Sequence, residues 1–223
     1  MTIDHENLLN SILASLDRIE YINPDDIPNI DLYMDQVTTF MDSRLSSTSR
    51  YPGEDKILTK TMINNYAKND LLPPPVKKKY SKEHILMLIF IYYYKGVLSI
   101  NDIQTLLKPV SDRFFQQSEG YRLEDVYREA FGLGKQQLEQ LKRDVVDKLR
   151  MSEASYEDAP EEDRDFLRKF AFICSLSYDV YVKKLIIEKM IDDLAARQSA
   201  QKEQREQEEK ARRKEAKKKD STQ

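Results

Sequence analysis

Residues 58–107 read LTKTMINNYAKNDLLPPPVKKKYSKEHILMLIFIYYYKGVLSINDIQTLL, and this stretch decides the fold. In its first part, Ile63 and Tyr66 recur at the spacing of one helical face. Either Thr59 or Thr61 is placed to cap the helix that this spacing predicts, because a threonine hydroxyl can accept a bond from the first turn. The stretch therefore opens with a helix that has one apolar and one polar face.

A run of three prolines, at positions 73–75, must end this helix. Each proline lacks the N–H that a helix needs, and each restricts the residue before it. We expect the chain to continue as a short extended arm over residues 76–80, which carries Lys77, Lys78 and Lys79. Phosphate groups are the partners that such a cluster favours, although a solvated turn also explains three adjacent lysines.

Several more helices are expected after the arm. Ser81 is placed to begin a helix over residues 82–95, which is apolar nearly all round and is therefore expected to be central and buried. Ser99 is placed to cap a fifth helix, which we expect to stop at Pro109. The helical pattern that follows is expected to stop at Gly132, and another helix follows it.

The segment before the stretch is also helical in pattern. Residues 7–19 carry apolar side chains on one face, and two prolines then break the pattern. Asp31 is placed to cap a second helix over residues 32–45. Residues 46–55 are polar, contain Pro-Gly and are expected to form a loop.

The last helix is expected to be long, over about residues 161–198. Most positions on one of its faces are apolar, so the face approaches a heptad seam that packs against the domain or against a second chain. The seam consists of Phe166, Phe170, Ile173, Ser177, Val180, Lys184, Ile187, Ile191 and Leu194. The tail, residues 199–223, mixes Lys, Arg and Glu and is expected to be either a frayed single helix or disordered.

Composition agrees with an all-α fold. The chain has 223 residues, of which 40% are hydrophobic and 34% charged, enough for a sizeable core. It has only five glycines. This scarcity argues against a sheet fold with many tight turns and against glycine-rich phosphate-binding loops.

Charge is distributed unevenly along the chain. Residues 1–55 carry three arginines and no lysine against eleven acidic residues, whereas residues 56–84 carry seven lysines against two acidic residues. A local positive field of this kind can attract a polyanion even though the net charge is -3.

Targeting signals and reactive sites are not evident in the sequence. The N-terminus lacks the pattern of a signal peptide, and the longest apolar run, residues 85–94, is too short to span a bilayer, so we expect a cytoplasmic protein that contacts no membrane. Cys174 is expected to be a small buried hydrophobe. His5 and His84 have no ligand spacing around them, and we expect no metal, no cofactor and no enzymatic activity.

A family resemblance covers about residues 30–110. The stretch from TKTMINNYAKNDLLPPP to LSINDIQTLL is similar to the core of MerR-type regulators, in which a recognition helix runs into a proline-rich wing. It resembles even more closely the bacterial domain of unknown function 1836 (DUF1836), a family that is regarded as MerR-like. The residues that match the framework positions are Ile63, Tyr66, Leu71, Leu72, Tyr80, Ser81, Leu98, Ser99, Ile100 and Ile103.

The sequence also departs from the MerR pattern. Asn64 stands where the family's recognition helix carries an arginine, so Asn64 and Asn65 either read adenine edges or are ordinary exposed residues. The long polar segment 46–55 replaces the tight turn before the recognition helix, and no cysteine cluster follows the domain. The arm is also short, with no strand-forming repeat around its lysines.

Together these features predict three regions. Residues 1–110 are expected to form a MerR-like winged helix-turn-helix domain with an N-terminal helical extension, residues 111–198 an all-α dimerisation or effector region, and residues 199–223 a charged tail. We expect a transcriptional regulator that binds double-stranded DNA through helix 58–72 and the arm, and that forms a homodimer through helix 160–196. The residues expected at the DNA are Lys60, Thr61, Asn64, Asn65, Lys68, Lys77, Lys78 and Lys79.

The alternative is a helical adaptor that keeps the scaffold but binds another protein. The acidic surplus of the first 55 residues favours it, because that charge would repel DNA if it lay near the arm. Retention on heparin or on random-sequence DNA at low salt distinguishes the two hypotheses, since only the regulator is expected to be retained.

Overall fold

The computed structural model describes residues 5–17, 21–49, 51 and 56–220. Most of these residues are helical, which confirms the all-α class. The elements, in chain order, are α1 His5–Asp17, a 3-10 turn Pro24–Asp26, β1 Leu32–Tyr33, α2 Met34–Leu45, a 3-10 turn Ser46–Thr48, α3 Lys60–Lys68, β2 Lys79–Tyr80, α4 Lys82–Tyr94, α5 Ile100–Phe114, α6 Leu123–Glu153 and α7 Glu161–Asp220.

The main core is built around α4. Every residue from His84 to Ile91 is buried, and α6 and β2 both pack against this helix. Its all-round apolar sequence therefore has a structural reason, as predicted. The core also takes in residues from Ile22 to Tyr127, together with Ile191 of α7.

A cluster of aromatic rings closes the end of the core near the C-terminus of α4. Phe90 contacts Tyr127 with 5.4 Å between ring centroids, and Phe131 lies 4.5 Å from Tyr127. The hydroxyl of Tyr127 donates a hydrogen bond of 2.9 Å to the carbonyl of Ile22, which ties α6 to the segment before α2. Burial raises the pKa of this hydroxyl, so it stays a donor.

A second, smaller core joins α6 to α7. Val145, Leu149 and Phe172 are buried there, and Leu9 and Ile12 of α1 pack against them. An ion pair of 2.8 Å between Lys148 and Asp179 and a bond of 3.2 Å from Arg168 Nε to the Ser155 carbonyl add polar links between the helices.

The start of α2 differs from the prediction. The helix begins at Met34 rather than directly after Asp31, because Leu32 and Tyr33 are taken up as strand β1. The N–H of Tyr33 instead donates to Oε1 of Gln36 at 2.9 Å. Part of the loop expected over 46–55 is a 3-10 turn, and residues 50 and 52–55 lie outside the described ranges, as does Ile19 at the expected end of the first helix.

Two predicted helix ends are wrong. Helix α5 continues through Pro109 to Phe114, and α6 continues through Gly132 and Gly134 to Glu153. A glycine inside a helix weakens it by only about 1 kcal/mol relative to alanine, and the packing of α6 against α4 and α7 outweighs this. The continuation through Pro109 has a specific cause in α7, where a side chain bonds the carbonyl that the proline leaves free.

Helix α7 also differs from the prediction in length and in its surroundings. Its 60 residues run to Asp220, so the backbone of the tail is helical as far as that residue. Ile191 of the seam is buried against the main core, but Phe166, Phe170 and Ile173 are exposed. Cys174, expected to be buried, is exposed as well, because it lies on the outward side of the same helix.

In the described part of the chain, no helix combines the length and the apolar character that crossing a lipid bilayer needs.

Candidate nucleic-acid interface

Helix α3 presents a polar face to solvent. Thr59 is its N-cap, as one of the two alternatives predicted, and its hydroxyl accepts a bond of 3.1 Å from the N–H of Met62. Ile63 and Tyr66 turn inward and are buried. The five expected DNA-contacting residues of this helix are all exposed on the remaining surface: Lys60, Thr61, Asn64, Asn65 and Lys68.

The end of α3 is fixed by a tight reversal of the chain. Asp70 has a φ of 54°, and its N–H donates to the carbonyl of Ala67 at 3.4 Å. The N–H groups of Leu71 and Leu72 donate to the carbonyl of Tyr66 at 2.9 and 3.2 Å. This pattern is that of a Schellman cap with aspartate in the place that glycine usually takes. Both leucines are then buried, so they anchor the first residues of the arm in the core.

The lysines of the arm form a closed two-residue turn. Val76 and Lys79 exchange two backbone hydrogen bonds, of 3.1 and 2.9 Å. Lys77 and Lys78, between them, have φ angles of 51° and 64°. Positive φ at both central residues is the requirement of a type I′ turn, which asparagine and glycine satisfy far more easily than lysine.

This turn is continued by a strand that the sequence did not predict. Tyr80 pairs with Leu32 and Lys79 with Tyr33, so β2 lies antiparallel to β1. Tyr80 is buried, whereas the ammonium of Lys79 lies 5.2 Å from the ring centroid of Tyr33. The sequence of the arm gives no signal for this strand, because its partner strand lies more than forty residues upstream.

His84 holds the arm against the core. Its Nδ1 accepts the N–H of Ser81 at 3.0 Å, and its Nε2 lies 3.4 Å from the carbonyl of Pro74. Because an N–H can only donate, Nδ1 carries no proton, and the ring proton is on Nε2 facing Pro74. Burial lowers the pKa of His84, so the ring is neutral at pH 7.

The turn and the start of α3 flank one short segment of the chain. Lys60 forms an ion pair with Asp35, and Lys79 lies over Tyr33, two residues before Asp35. The structure thus brings both Lys79 and Lys60 to the β1–α2 junction. Lys68, at the far end of α3, is about 12 Å from Lys60 along the helix axis and has no described contact with the turn.

The sequence raised the acidic charge of residues 1–55 as one that would repel DNA near the arm, but it did not identify which acidic residue would lie there. Asp35 belongs to the strongly acidic first 55 residues, and its pairing neutralises one of the expected phosphate-binding lysines. Both side chains are well exposed, so solvent screens the pair and weakens it. The packing of α2 against α3 and the pairing of β1 with β2 both bring Asp35 here, and no local pattern predicts either contact.

In the described part of the chain, no group of three or more His, Cys, Asp or Glu side chains is arranged to hold a metal ion.

Comparison with protein families identifies the segment that carries this surface. Residues 22–130 match the model of a domain of unknown function, DUF1836. We refer to this matched segment, residues 22–130, as the DUF1836 domain. All buried residues of the main core except Ile191 lie within the DUF1836 domain, as do α3 and the lysine turn, whereas α1 and α7 lie outside it. No curated protein and no solved structure matches the chain.

Proposed function

We propose that the DUF1836 domain is a MerR-like winged helix-turn-helix that binds duplex DNA, with α3 as the recognition helix and the lysine turn as the tip of the wing. The carrying observation is the turn itself: two consecutive lysines, exposed and held at positive φ, between a helix with a polar face and a buried helix. This interpretation makes the protein a transcriptional regulator rather than an enzyme.

The arrangement of elements supports this assignment. Strand β1 precedes α2, α2 packs against α3, and the chain then returns through the turn to pair β2 with β1. A recognition helix needs a surface free of packing partners to enter the major groove, and the outward face of α3 has that exposure. Asn64 and Asn65 lie on this face, where asparagine amides can bond adenine edges.

The lysines would act mainly through phosphates. Lys77, Lys78 and Lys79 lie on the turn, and Lys60 and Lys68 at the two ends of α3. Phosphate contact depends on charge and reach, which lysine supplies, while base contacts supply the sequence specificity. On binding, a phosphate would replace Asp35 as the partner of Lys60, so we expect Lys60 to contribute less than the turn.

The strained backbone of the turn supports a functional role for its lysines. A left-handed conformation costs about 1–2 kcal/mol for each residue other than glycine. Such positions persist where surrounding structure fixes them, and they cluster at functional sites. Here the Val76–Lys79 bonds and the β1–β2 pairing fix the turn.

Helix α7 is the proposed dimer element. Phe166, Phe170 and Ile173 are 68%, 50% and 60% exposed, and the first two rings stack with 6.3 Å between centroids. Large apolar side chains in a contiguous stripe mark an interaction surface on a soluble protein. A dimer would place two recognition helices on spaced half-sites. The two copies together would bind DNA more tightly than one copy with its few cationic side chains.

A decisive variant is Lys77→Asn combined with Lys78→Gly. Asparagine and glycine are the preferred residues of a type I′ turn, so this variant removes two charges and relieves the strain. We expect its unfolding free energy to rise by about 1–3 kcal/mol while its affinity for duplex DNA falls. The slope of log affinity against log salt should flatten by up to about two, at about 0.9 for each phosphate that the protein no longer neutralises.

The matched control is Lys202→Gln with Lys210→Gln, which removes two exposed lysines from α7. It should bind DNA with the salt slope of the parent, because neither residue belongs to α3 or to the lysine turn. Equal affinity and slope for the turn variant and its parent would exclude the turn as a DNA wing.

The second candidate, a protein-binding adaptor, is favoured by two observations. Asp35 neutralises Lys60 at the start of α3, and the exposed apolar residues of α7 suit a protein partner as well as a second copy. Heparin and random-sequence duplex DNA distinguish the candidates at low salt. Retention of the parent, and its loss in the turn variant, supports the regulator, whereas an unretained parent supports the adaptor.

A further inference from the structure

A groove at the other end of α4 has the features of a ligand site. Its volume is about 1180 Å³, slightly above the range that small-molecule sites usually occupy. The groove lies between α6, α7 and the segment before α2. Lys82, next to β2, begins α4, whereas Tyr93, near its end, lines the groove. The groove and the lysine turn are therefore separate surfaces, about 16 Å apart along this helix.

One side of the groove is aromatic. Tyr21 stacks on Phe131 with 6.0 Å between centroids and 9° between ring planes, and Tyr93 lies 5.3 Å from Phe131. All three residues line the groove, and all three are only partly buried. Aromatic surface of this extent, open to a concave space, favours a planar aromatic partner and can also attract a cation to its ring faces.

The opposite side of the groove is charged. Lys148 bridges Asp144 and Asp179, and Lys183 lies 4.0 Å from Asp179. The hydrogen bond from Lys148 lowers the pKa of Asp179, so this carboxylate is ionised at neutral pH. The network is neutral by itself, with two ammonium groups and two carboxylates.

Asp26 adds a third carboxylate to the lining. Its nearest described cation is Arg44 at 4.0 Å, outside the groove, and about half of each side chain is exposed to solvent. A surface pair of this length is weak. The groove itself thus has one more carboxylate than it has ammonium groups, which favours a ligand with a positive charge.

Tyr93 also has a donor that the fold does not use. Its hydroxyl is enclosed and has no hydrogen-bond partner in the described part of the chain. Burial raises the pKa of this hydroxyl, so it keeps its proton. Enclosed hydroxyls in folded proteins normally have a hydrogen-bond partner. The lack of a described partner for the Tyr93 hydroxyl, in a residue that lines the groove, therefore suggests that a ligand belongs here.

We propose that this groove binds a planar aromatic ligand that carries a positive charge. The aromatic body lies on Tyr21, Tyr93 and Phe131, and the cationic group faces the carboxylates, above all Asp26, the least neutralised of them. This inference does not depend on DNA binding, and its test uses no nucleic acid.

Three probes with one aromatic body test the charge preference. Tryptamine is cationic, indole is neutral and indole-3-acetate is anionic at pH 7. The chain contains no tryptophan, so indole emission comes from the probe without tryptophan background, and its anisotropy rises as the probe binds. We expect tryptamine to bind about fivefold more tightly than indole, the effect of one unscreened charge at about 4 Å in water, and indole-3-acetate to bind less tightly than indole.

Two glycines of α6 provide a blocking variant and its control. Gly134 lines the groove, Gly132 does not, and a Cβ at either position would meet no other atom within 4 Å. Gly134→Leu should abolish tryptamine binding because its side chain fills the groove, and Gly132→Leu should bind as the parent does. Both changes favour the helix, so thermal stability should not fall.

Asp26→Asn tests the charge assignment separately and serves if Gly134→Leu does not fold. It should weaken tryptamine binding while leaving indole binding unchanged. The proposal is overturned if none of the probes binds, if indole-3-acetate binds more tightly than tryptamine, or if the folded Gly134→Leu variant binds tryptamine as the parent does.

Discussion

Lys77 and Lys78 show how a residue can be unsuited to its backbone and still be fixed there. Both have positive φ, although lysine has no side-chain group that stabilises the left-handed region as asparagine's does. The two hydrogen bonds between Val76 and Lys79 close the turn, and pairing with β1 extends it. Sequence features alone favour an extended arm at this point, and the contact with β1 overrides them.

The protonation state of the His84 ring affects the contacts that hold the arm in place. Its neutral ring accepts the Ser81 N–H and faces Pro74, and its edge meets the rings of Tyr80 and Phe115 at centroid distances of 5.5 and 4.9 Å. Protonation of Nδ1 would replace the acceptor with a donor and break the bond to Ser81. The structure therefore favours the neutral ring.

We expect acid to destabilise the fold through this residue. Because the pKa of His84 is lower in the folded chain than in the unfolded chain, the unfolded state binds more protons below about pH 6.5. Its contribution to stability is complete above that pH and declines as pH falls toward the folded pKa. Urea denaturation at pH 7.5, 6.5 and 5.5 measures the decline.

The matched variant is His84→Asn, whose side-chain oxygen can accept the Ser81 N–H without titrating in this range. The difference in unfolding free energy between parent and variant should shrink from pH 7.5 to 5.5. A difference that stays constant over these pH values would show that His84 does not titrate differently in the two states.

Local capping signals predict a helix start correctly where a single side chain satisfies the helix end. Thr59 and Ser99 cap α3 and α5, as predicted, because each hydroxyl reaches an N–H only three residues away. Asp31 carries an equally good capping side chain, but the strand pairing of Leu32 and Tyr33 delays the helix to Met34. A signal that depends on distant residues is not visible in the local sequence.

At the scale of elements, Pro109 illustrates how one helix is completed by another. Pro109 has no N–H to offer the carbonyl of Thr105, four residues earlier in α5. Instead, the side-chain nitrogen of Gln198 in α7 donates to that carbonyl at 3.1 Å. The helix therefore continues through the proline, and the carbonyl that the proline leaves free becomes a docking point for α7.

A double-mutant cycle tests this interpretation. Gln198→Ala should lower the unfolding free energy by about 1 kcal/mol, because the partly buried Thr105 carbonyl loses its partner. In a Pro109→Ala background the same change should have a smaller effect, since the new N–H at position 109 takes over the bond. Chemical denaturation of the four chains gives the coupling, and additive effects would contradict the proposed exchange.

The continuation of α5 through Pro109 and the continuation of α6 through Gly132 could not be predicted from the sequence, for the same physical reason. Proline and glycine lower the local preference for helix, and that preference is all that periodicity and composition report. Gln198 and the packing of α6 against α4 and α7 supply the compensation from distant parts of the chain. The long apolar helix α4 was predicted correctly because its own sequence requires burial on every side.

At the scale of the whole molecule, the groove and the exposed stripe of α7 emerge only from tertiary packing. The seam of α7 was visible in the sequence as a pattern, but which of its residues meet the core was not: Ile191 is buried, whereas Phe166 and Phe170 are exposed. The division of the chain at residues 110 and 198 stays a prediction. Val110 lies inside α5, so a boundary there would cut a helix.

The proposed dimer gives a prediction at this scale. Phe166→Ser with Phe170→Ser should convert a dimer to a monomer in sedimentation or light-scattering measurements, because the two stacked rings are removed from the seam. Both residues are exposed, so the monomer fold should persist. Met151→Ser, a change of an exposed residue on α6, is the control and should leave the mass unchanged; a parent that is monomeric at tens of micromolar would contradict the proposal.

Binding of DNA by the lysine turn is the central claim, and amine labelling measures that binding directly. Lysine acetylation rates should be determined by mass spectrometry with and without saturating duplex DNA, with the exposed Lys202 of α7 as the internal control. We predict that DNA slows acetylation of Lys77 and Lys78 several-fold, that 1 M salt removes the protection, and that Lys202 is unaffected. Equal labelling of Lys77 and Lys78 with and without DNA would contradict this claim.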